Sequence, residues 1–197
     1  MPVKPNREYR SAATFEAPEI EEYIVEGYAS TFAPYVMMSY DGVDYWERIE
    51  PRAFDEANMD DVIMQYDHEG RVYARKSNGT LEVTVDEHGL KVRADLSKTA
   101  AARALYDEIK AGMIKEMSFA FTVKDERYDK DTHTRVIEKV DRIYDVSAVS
   151  IPANPDTQIS ARSYFDGVIE MEKQELLEAE EREKQKSRIR ILMEVSK

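Results

Sequence analysis

Alternation of large apolar with small or polar side chains dominates the middle of the chain. Met117, Phe119, Phe121 and Val123 interleave with Ser118, Ala120 and Thr122, the two-residue period of a strand with one apolar face and one narrow, polar face. Val62, Met64, Tyr66 and His68 interleave in the same way with Ile63, Gln65 and Asp67, so a strand running that far carries His68 on the face of three large side chains. Leu81 to Val85 and Leu90 to Leu96 read as two strands about the turn Asp86-Glu87-His88-Gly89. Further strands are predicted from Tyr23 onward and over Tyr45 to Glu50, the latter leading through Pro51 into a short helix beginning near Arg52, with Gly42 marking a turn between them. The polar run Asp129-Lys130-Asp131-Thr132 separates the Met117 strand from the next one. Antiparallel pairing about that turn puts Ser118 opposite residues near Ile143 to Asp145 and makes Asp145 its neighbour.

Helical signals are fewer. Ser97 or Thr99 suits the N-cap of a helix over 100–111, with Leu105, Ile109, Ala101 and Ala102 facing inward and Gly112 as its stop. From Val168 the chain turns helical and Glu-rich, with no Gly or Pro after Gly167. Leu176, Leu177, Ile189, Ile191, Leu192, Met193 and Val195 are too sparse there for a heptad seam but suffice for docking on a partner. The opening stretch to Glu19 contains Pro2, Pro5 and Pro18 and lacks periodicity, so it reads as an extended arm or pro-segment that can be trimmed without loss of the core. The expected organisation is an arm over 1–19, a mainly β domain with peripheral helices (α+β) over 20–166, and a charged helical tail over 167–197.

Composition narrows the chemistry. The 197 residues include no cysteine, which excludes a disulfide framework, a thiol nucleophile and thiolate metal sites. No signal peptide and no run of roughly 20 apolar residues is visible, so a cytoplasmic protein that does not enter membranes is expected. A formal net charge of -12 argues against nucleic-acid binding, which rests on clustered Lys and Arg.

Only three histidines are available as a general base. His88 and His133 fall in polar turns and read as surface residues, whereas His68 ends a strand where a side chain can reach into a cleft. A serine nucleophile needs such a base, and the base works better when a carboxylate holds its tautomer. Ser118 alone is a weak signal, since no Gly-x-Ser-x-Gly elbow surrounds it. Asp145 is unusual inside a strand, although pairing with Arg142 would also account for it. Asp67 and Glu69 flank His68 but point to the opposite face, so no metal site and no cofactor are expected.

Taken in order, Gly27-Tyr28-Ala29-Ser30 with Phe32, Glu50-Pro51-Arg52-Ala53-Phe54, His68, Gly89-Leu90-Lys91-Val92, Gly112, Met117-Ser118-Phe119, Asp145-Val146-Ser147-Ala148-Val149 and Pro152-Ala153-Asn154-Pro155 resemble the prohead maturation serine proteases of tailed phages over about Tyr23 to Ile159. Those proteases are related to the herpesvirus assemblins. The resemblance therefore implies a closed antiparallel β barrel with surrounding helices. It makes Ser118 the nucleophile, His68 the general base and Asp145 the acid, with Asp67 or Glu116 as substitutes should Asp145 point away. The implied substrate is the scaffolding segment of the major capsid protein, cut inside the immature prohead in the host cytoplasm, followed by self-cleavage. The herpesvirus relatives gain activity by pairing, which implies either a homodimer or activation by crowding within the shell. Two rivals remain: a catalytically silent β-barrel scaffold or assembly factor that tolerates loss of Ser118 and His68, and a small-molecule esterase.

Overall fold

The computed structural model describes residues 7–16, 22–150 and 159–195. The Pro152-Ala153-Asn154-Pro155 run lies outside the described residues. The chain divides into two compact units, Met1–Ser160 and Ala161–Lys197.

Among the described residues of the first unit ten strands form one sheet: β1 (Glu8–Glu16), β2 (Ile24–Thr31), β3 (Tyr35–Tyr40), β4 (Val43–Ile49), β5 (Ile63–Tyr66), β6 (Glu69–Arg75), β7 (Leu81–Val85), β8 (Gly89–Asp95), β9 (Glu116–Asp129) and β10 (Thr134–Val149). The pairing path runs β3-β4-β10-β9-β1-β2-β8-β7, with the β5–β6 hairpin attached to β10. Among the described residues this path does not return on itself, because β3 and β7 end it. The expected closed antiparallel barrel is therefore not found. Nor is the sheet wholly antiparallel, since β10 runs parallel to both β4 and β5. The mainly β, α+β class is as expected.

The alternating apolar faces explain where the core sits. Met117, Phe119 and Phe121 of β9 are buried together with Ile137, Val140 and Ile143 of β10, Met64 of β5 and Val92 of β8. Phe119 and Phe121 stack with centroids 4.5 Å apart. Helix α1 (Ala100–Lys110) adds Ala102, Leu105, Tyr106 and Ile109 to this core. Its N-cap is Thr99, whose side chain accepts from the Ala102 N–H at 3.0 Å, while Gly112 with φ of 71° turns the chain away at the other end. Tyr106, not Ala101, completes the inward face.

Two expectations fail. Residues 51–56 form consecutive turns and no helix, closed by Ala53 N–H to Glu50 O at 2.9 Å and Asp55 N–H to Arg52 O at 3.1 Å. The opening stretch is extended, but Glu8–Glu16 is an integral strand between β9 and β2 and cannot be trimmed without opening the sheet. Its charged residues conceal this role. Arg10 and Glu47 are fully buried, and with Glu8 and Arg135 they form a four-charge cluster linking β1, β4 and β10. Arg10 binds both Glu8, at 2.5 Å, and Glu47; Arg135 reaches Glu8 at 2.7 Å and Glu47 at 2.9 Å, and also pairs with Glu126. The Tyr35 hydroxyl donates to Glu47 at 2.5 Å. Burial alone would raise the carboxyl pKa of Glu8, but Arg135 and Arg10 outweigh it and hold the group at about 2.

Among the described residues the second unit consists of helix α2 (Ile159–Val195), whose first residues belong to the first unit and which begins well before the expected residue 168. Leu176, Leu177 and Ile189 are exposed on it. Its charged side chains pair along the helix, Arg182 with Glu178 at 3.2 Å and Lys186 with Glu183 at 2.7 Å, so a helix with little apolar surface carries its own local support.

Candidate active site

The nucleophile candidate belongs to a central strand. β9 is flanked by β1 and β10, and Ser118 stands opposite Ser11 on one side and Ser147 on the other. The turn between β9 and β10 starts the pairing at Thr134↔Asp129, a register that, left unbroken, would put Ser118 opposite Asp145. Successive irregularities between Ile137 and Asp145 displace β10 by two residues, so Ser147 takes that position. A shift of two preserves the face, and Asp145 becomes the diagonal neighbour of Ser118 on the same side of the sheet. Directly opposed side chains sit about 4.5–5.5 Å apart at Cβ and diagonal ones about 7–8 Å, so the displacement opens room for an imidazole between hydroxyl and carboxylate.

His68 fills that room. β5 runs parallel to β10 with Asp145↔Ile63 and Ala148↔Tyr66, and it ends at Tyr66, short of the expected extension to His68. Asp67 and His68 are the two central residues of the hairpin to β6, with Tyr66↔Glu69 closing it. Both have positive φ, 49° and 60°, as the tight two-residue hairpin turn requires and as non-glycine residues adopt uncommonly. The turn, not strand alternation, swings the imidazole over the narrow face of β9. It is fastened to β10 by the Asp67 N–H donating to Ala148 O at 2.9 Å and by the Asp67 carboxylate accepting from the Ser150 N–H at 2.9 Å and the Ser150 hydroxyl at 3.0 Å. Two consecutive left-handed residues at the site hold local strain that these contacts stabilise.

The resulting chain of contacts is short. His68 Nε2 lies 2.8 Å from Ser118 Oγ, and His68 Nδ1 lies 2.5 Å from Asp145 Oδ1. All three side chains are buried, as is Ser147, whose hydroxyl donates to Asp145 Oδ1 at 2.9 Å. A carboxylate at Nδ1 accepts only if that nitrogen carries the proton, which leaves the Nε2 lone pair facing the serine hydroxyl. The ring of Tyr9, on β1, meets the imidazole edge to face at 4.6 Å. Burial, then the nearby Asp145 charge, pushes the Tyr9 phenol above its ordinary value, so it stays neutral across the physiological range.

The structure thus brings Ser118, His68 and Asp145 together. Of the substitute acids, Asp67 is occupied by Ser150, and Glu116 stands opposite Val149 at the start of β9. Arg142 lies 5.4 Å from the Tyr144 ring, while Asp145 is engaged by His68. His88 packs against Tyr28, and His133 packs against Tyr45 and contacts the Tyr128 hydroxyl, each away from Ser118. Three contributors were not foreseen. Ser147 was accessible from its two-residue spacing to Asp145, whereas Tyr9 sat in a stretch read as an arm and Asp67 was considered only as a substitute acid or a metal ligand.

Comparison with known proteins identifies the family. The family model for the caudovirus prohead serine protease matches residues 11–172, and the chain belongs to that family. The prohead protease of Escherichia phage T5 is 26% identical over 109 residues, 55% of this chain and 50% of the relative, so the chain matches about half the length of that curated protein. No solved structure matches the chain.

Proposed function

From that family membership, we propose that the chain is a serine endopeptidase of phage capsid maturation in which Ser118 is the nucleophile, His68 the general base and Asp145 the orienting acid. The observation that carries the reading is the unbroken series Ser118 Oγ, His68 Nε2, His68 Nδ1 and Asp145 Oδ1, at 2.8 and 2.5 Å, built from three separate strands and turns. With the Nδ1 proton held by Asp145, Nε2 takes the hydroxyl proton as Oγ attacks the peptide carbonyl. The same nitrogen returns the proton to the departing amine, leaving an acyl group on Ser118. Water, deprotonated by Nε2, then hydrolyses that ester and frees the serine. Asp145 remains ionised throughout and stabilises the imidazolium. Ser118 lies inside a strand paired on both edges, unlike a serine on a strand-to-helix elbow, so the donors for the developing oxyanion are assigned to a segment outside β9. Because Ser118 is fully buried, a substrate carbonyl reaches it only after local opening.

The substrate we propose is the scaffolding segment of the major capsid protein, together with the protease's own ends, inside the immature prohead of the infected cell. Activation follows either pairing into a homodimer or crowding within the shell, and α2 supplies the segment through which the enzyme is packaged. The test is an intact-mass time course of the concentrated protein beside Ser118→Ala. Shortening of the wild type alone supports the reading and gives the bond preference from fragment masses. A catalytically silent assembly factor would instead retain its function in Ser118→Ala and His68→Ala, and an esterase would cleave small esters while leaving every protein whole.

A further inference from the structure

The acid of the site is held from two sides, and the second holder is a residue to which no role has been given. Asp145 Oδ1 accepts from His68 Nδ1 at 2.5 Å and from the Ser147 hydroxyl at 2.9 Å. A serine hydroxyl has a single proton, and here it points to the carboxylate. Ser147 and Asp145 are two residues apart on β10 and share a face, and Ser147 is the residue directly opposite Ser118. Both are almost wholly out of solvent, so water does not readily replace the contact.

We propose that Ser147 is a positioning residue of this site, acting through Asp145 on the basicity and orientation of His68. The inference rests on the serine-protease reading above and extends it by a fourth member. Two physical consequences follow. A carboxylate gripped at one oxygen by a second donor is fixed about its terminal torsion, so Oδ1 stays aligned with Nδ1. The hydroxyl also disperses part of the carboxylate charge. Without it, more of that charge acts on the imidazolium, which becomes easier to form and harder to deprotonate. His68 then titrates at higher pH and is protonated, hence idle as a base, over a wider range.

The experiment compares wild type, Ser147→Ala and Ser147→Thr in the full chain. The His68 titration is followed by NMR of the imidazole in protein labelled at histidine, and the pH dependence of peptide cleavage is followed in parallel. In Ser147→Ala we expect the His68 midpoint and the acid limb of kcat/KM to move up together by about half a pH unit to one unit, with kcat down about tenfold and KM little changed. Ser147→Thr keeps the hydroxyl and returns the midpoint to the wild-type value. Its midpoint also guards against a merely structural effect, because lost packing lowers activity without moving a titration. A His68 midpoint in Ser147→Ala equal to that of wild type would overturn the proposal, as would a Thr variant, folded by circular dichroism, that titrates like the Ala one. The NMR arm does not depend on cleavage. If no peptide is cut by the wild type and a fluorophosphonate fails to label Ser118, it is the protease reading that falls, whereas an unmoved titration removes only the role of Ser147.

Discussion

The buried charge cluster under β1 allows a quantitative test of what holds the strand beside Ser118. Replacing Arg10 by Met keeps most of the side-chain volume and removes the charge. The four buried charges, Glu8, Arg10, Glu47 and Arg135, sum to zero, and removal of Arg10 leaves Glu8 and Glu47 to share Arg135 with one negative charge in excess. Glu47 then retains Arg135 at 2.9 Å and the Tyr35 hydroxyl at 2.5 Å, which is insufficient compensation for a fully buried carboxylate. Breaking a buried pair on one side costs about 3–5 kcal/mol, and in a domain of this size each kcal/mol lowers Tm by about 2–4 °C, so Arg10→Met should melt at least about 6 °C below wild type. Acid reports on the same cluster. The Glu8 carboxyl lies at about 2 against an ordinary value of 4.5, so its contribution is complete above pH 4.5 and fades as pH falls toward 2. The shift corresponds to an upper value of about 3 kcal/mol. Urea denaturation from pH 7 to 2.5 measures both effects, and Arg10→Met should flatten the acid loss because Glu8 then starts from a less depressed pKa. A stability change below about 1 kcal/mol, with an unaltered acid profile, would refute the reasoning and leave β1 anchored by its backbone ladder alone.

Three further outcomes are expected. Gly89→Ala would put a Cβ 2.0 Å from the Ser30 carbonyl oxygen, at the irregular end of the β2–β8 pairing, and should cost several kcal/mol by denaturant titration. Asp145→Asn should leave the fold intact but favour the imidazole tautomer that cannot accept from Ser118, lowering kcat by about 10⁴ in a peptide-cleavage assay; a drop under tenfold would show that Asp145 does not set the tautomer. Asp67→Ala removes the carboxylate that holds the His68 turn to Ser150, and should lower kcat with little change in KM and loosen the turn, seen as faster amide exchange at 67–68.

Local chemistry was sufficient for part of this protein. The alternation through β9, the β7–β8 hairpin and the Thr99-capped α1 were legible because each depends on residues near in sequence: a two-residue apolar period, a short turn, a side chain meeting a backbone N–H three residues on. That Ser118, His68 and Asp145 should be considered together was also legible, since few histidines compete and the motif order is distinctive, and the three side chains do meet. Their geometry was not. The two-residue displacement of β10 against β9 arises from irregularities spread over Ile137 to Asp145, and no local pattern announces where an extra residue is accommodated. The left-handed Asp67-His68 turn lacks the usual glycine, and it is held by backbone and side-chain bonds to Ala148 and Ser150, about eighty residues away. β1 escaped notice for the same reason, because Glu8 and Arg10 look like surface residues until Glu47 and Arg135 arrive from β4 and β10 to neutralise them. Periodicity reports how one segment meets water, whereas burial of charge, strand register and the meeting of Ser118, His68 and Asp145 depend on partners that only the folded chain supplies.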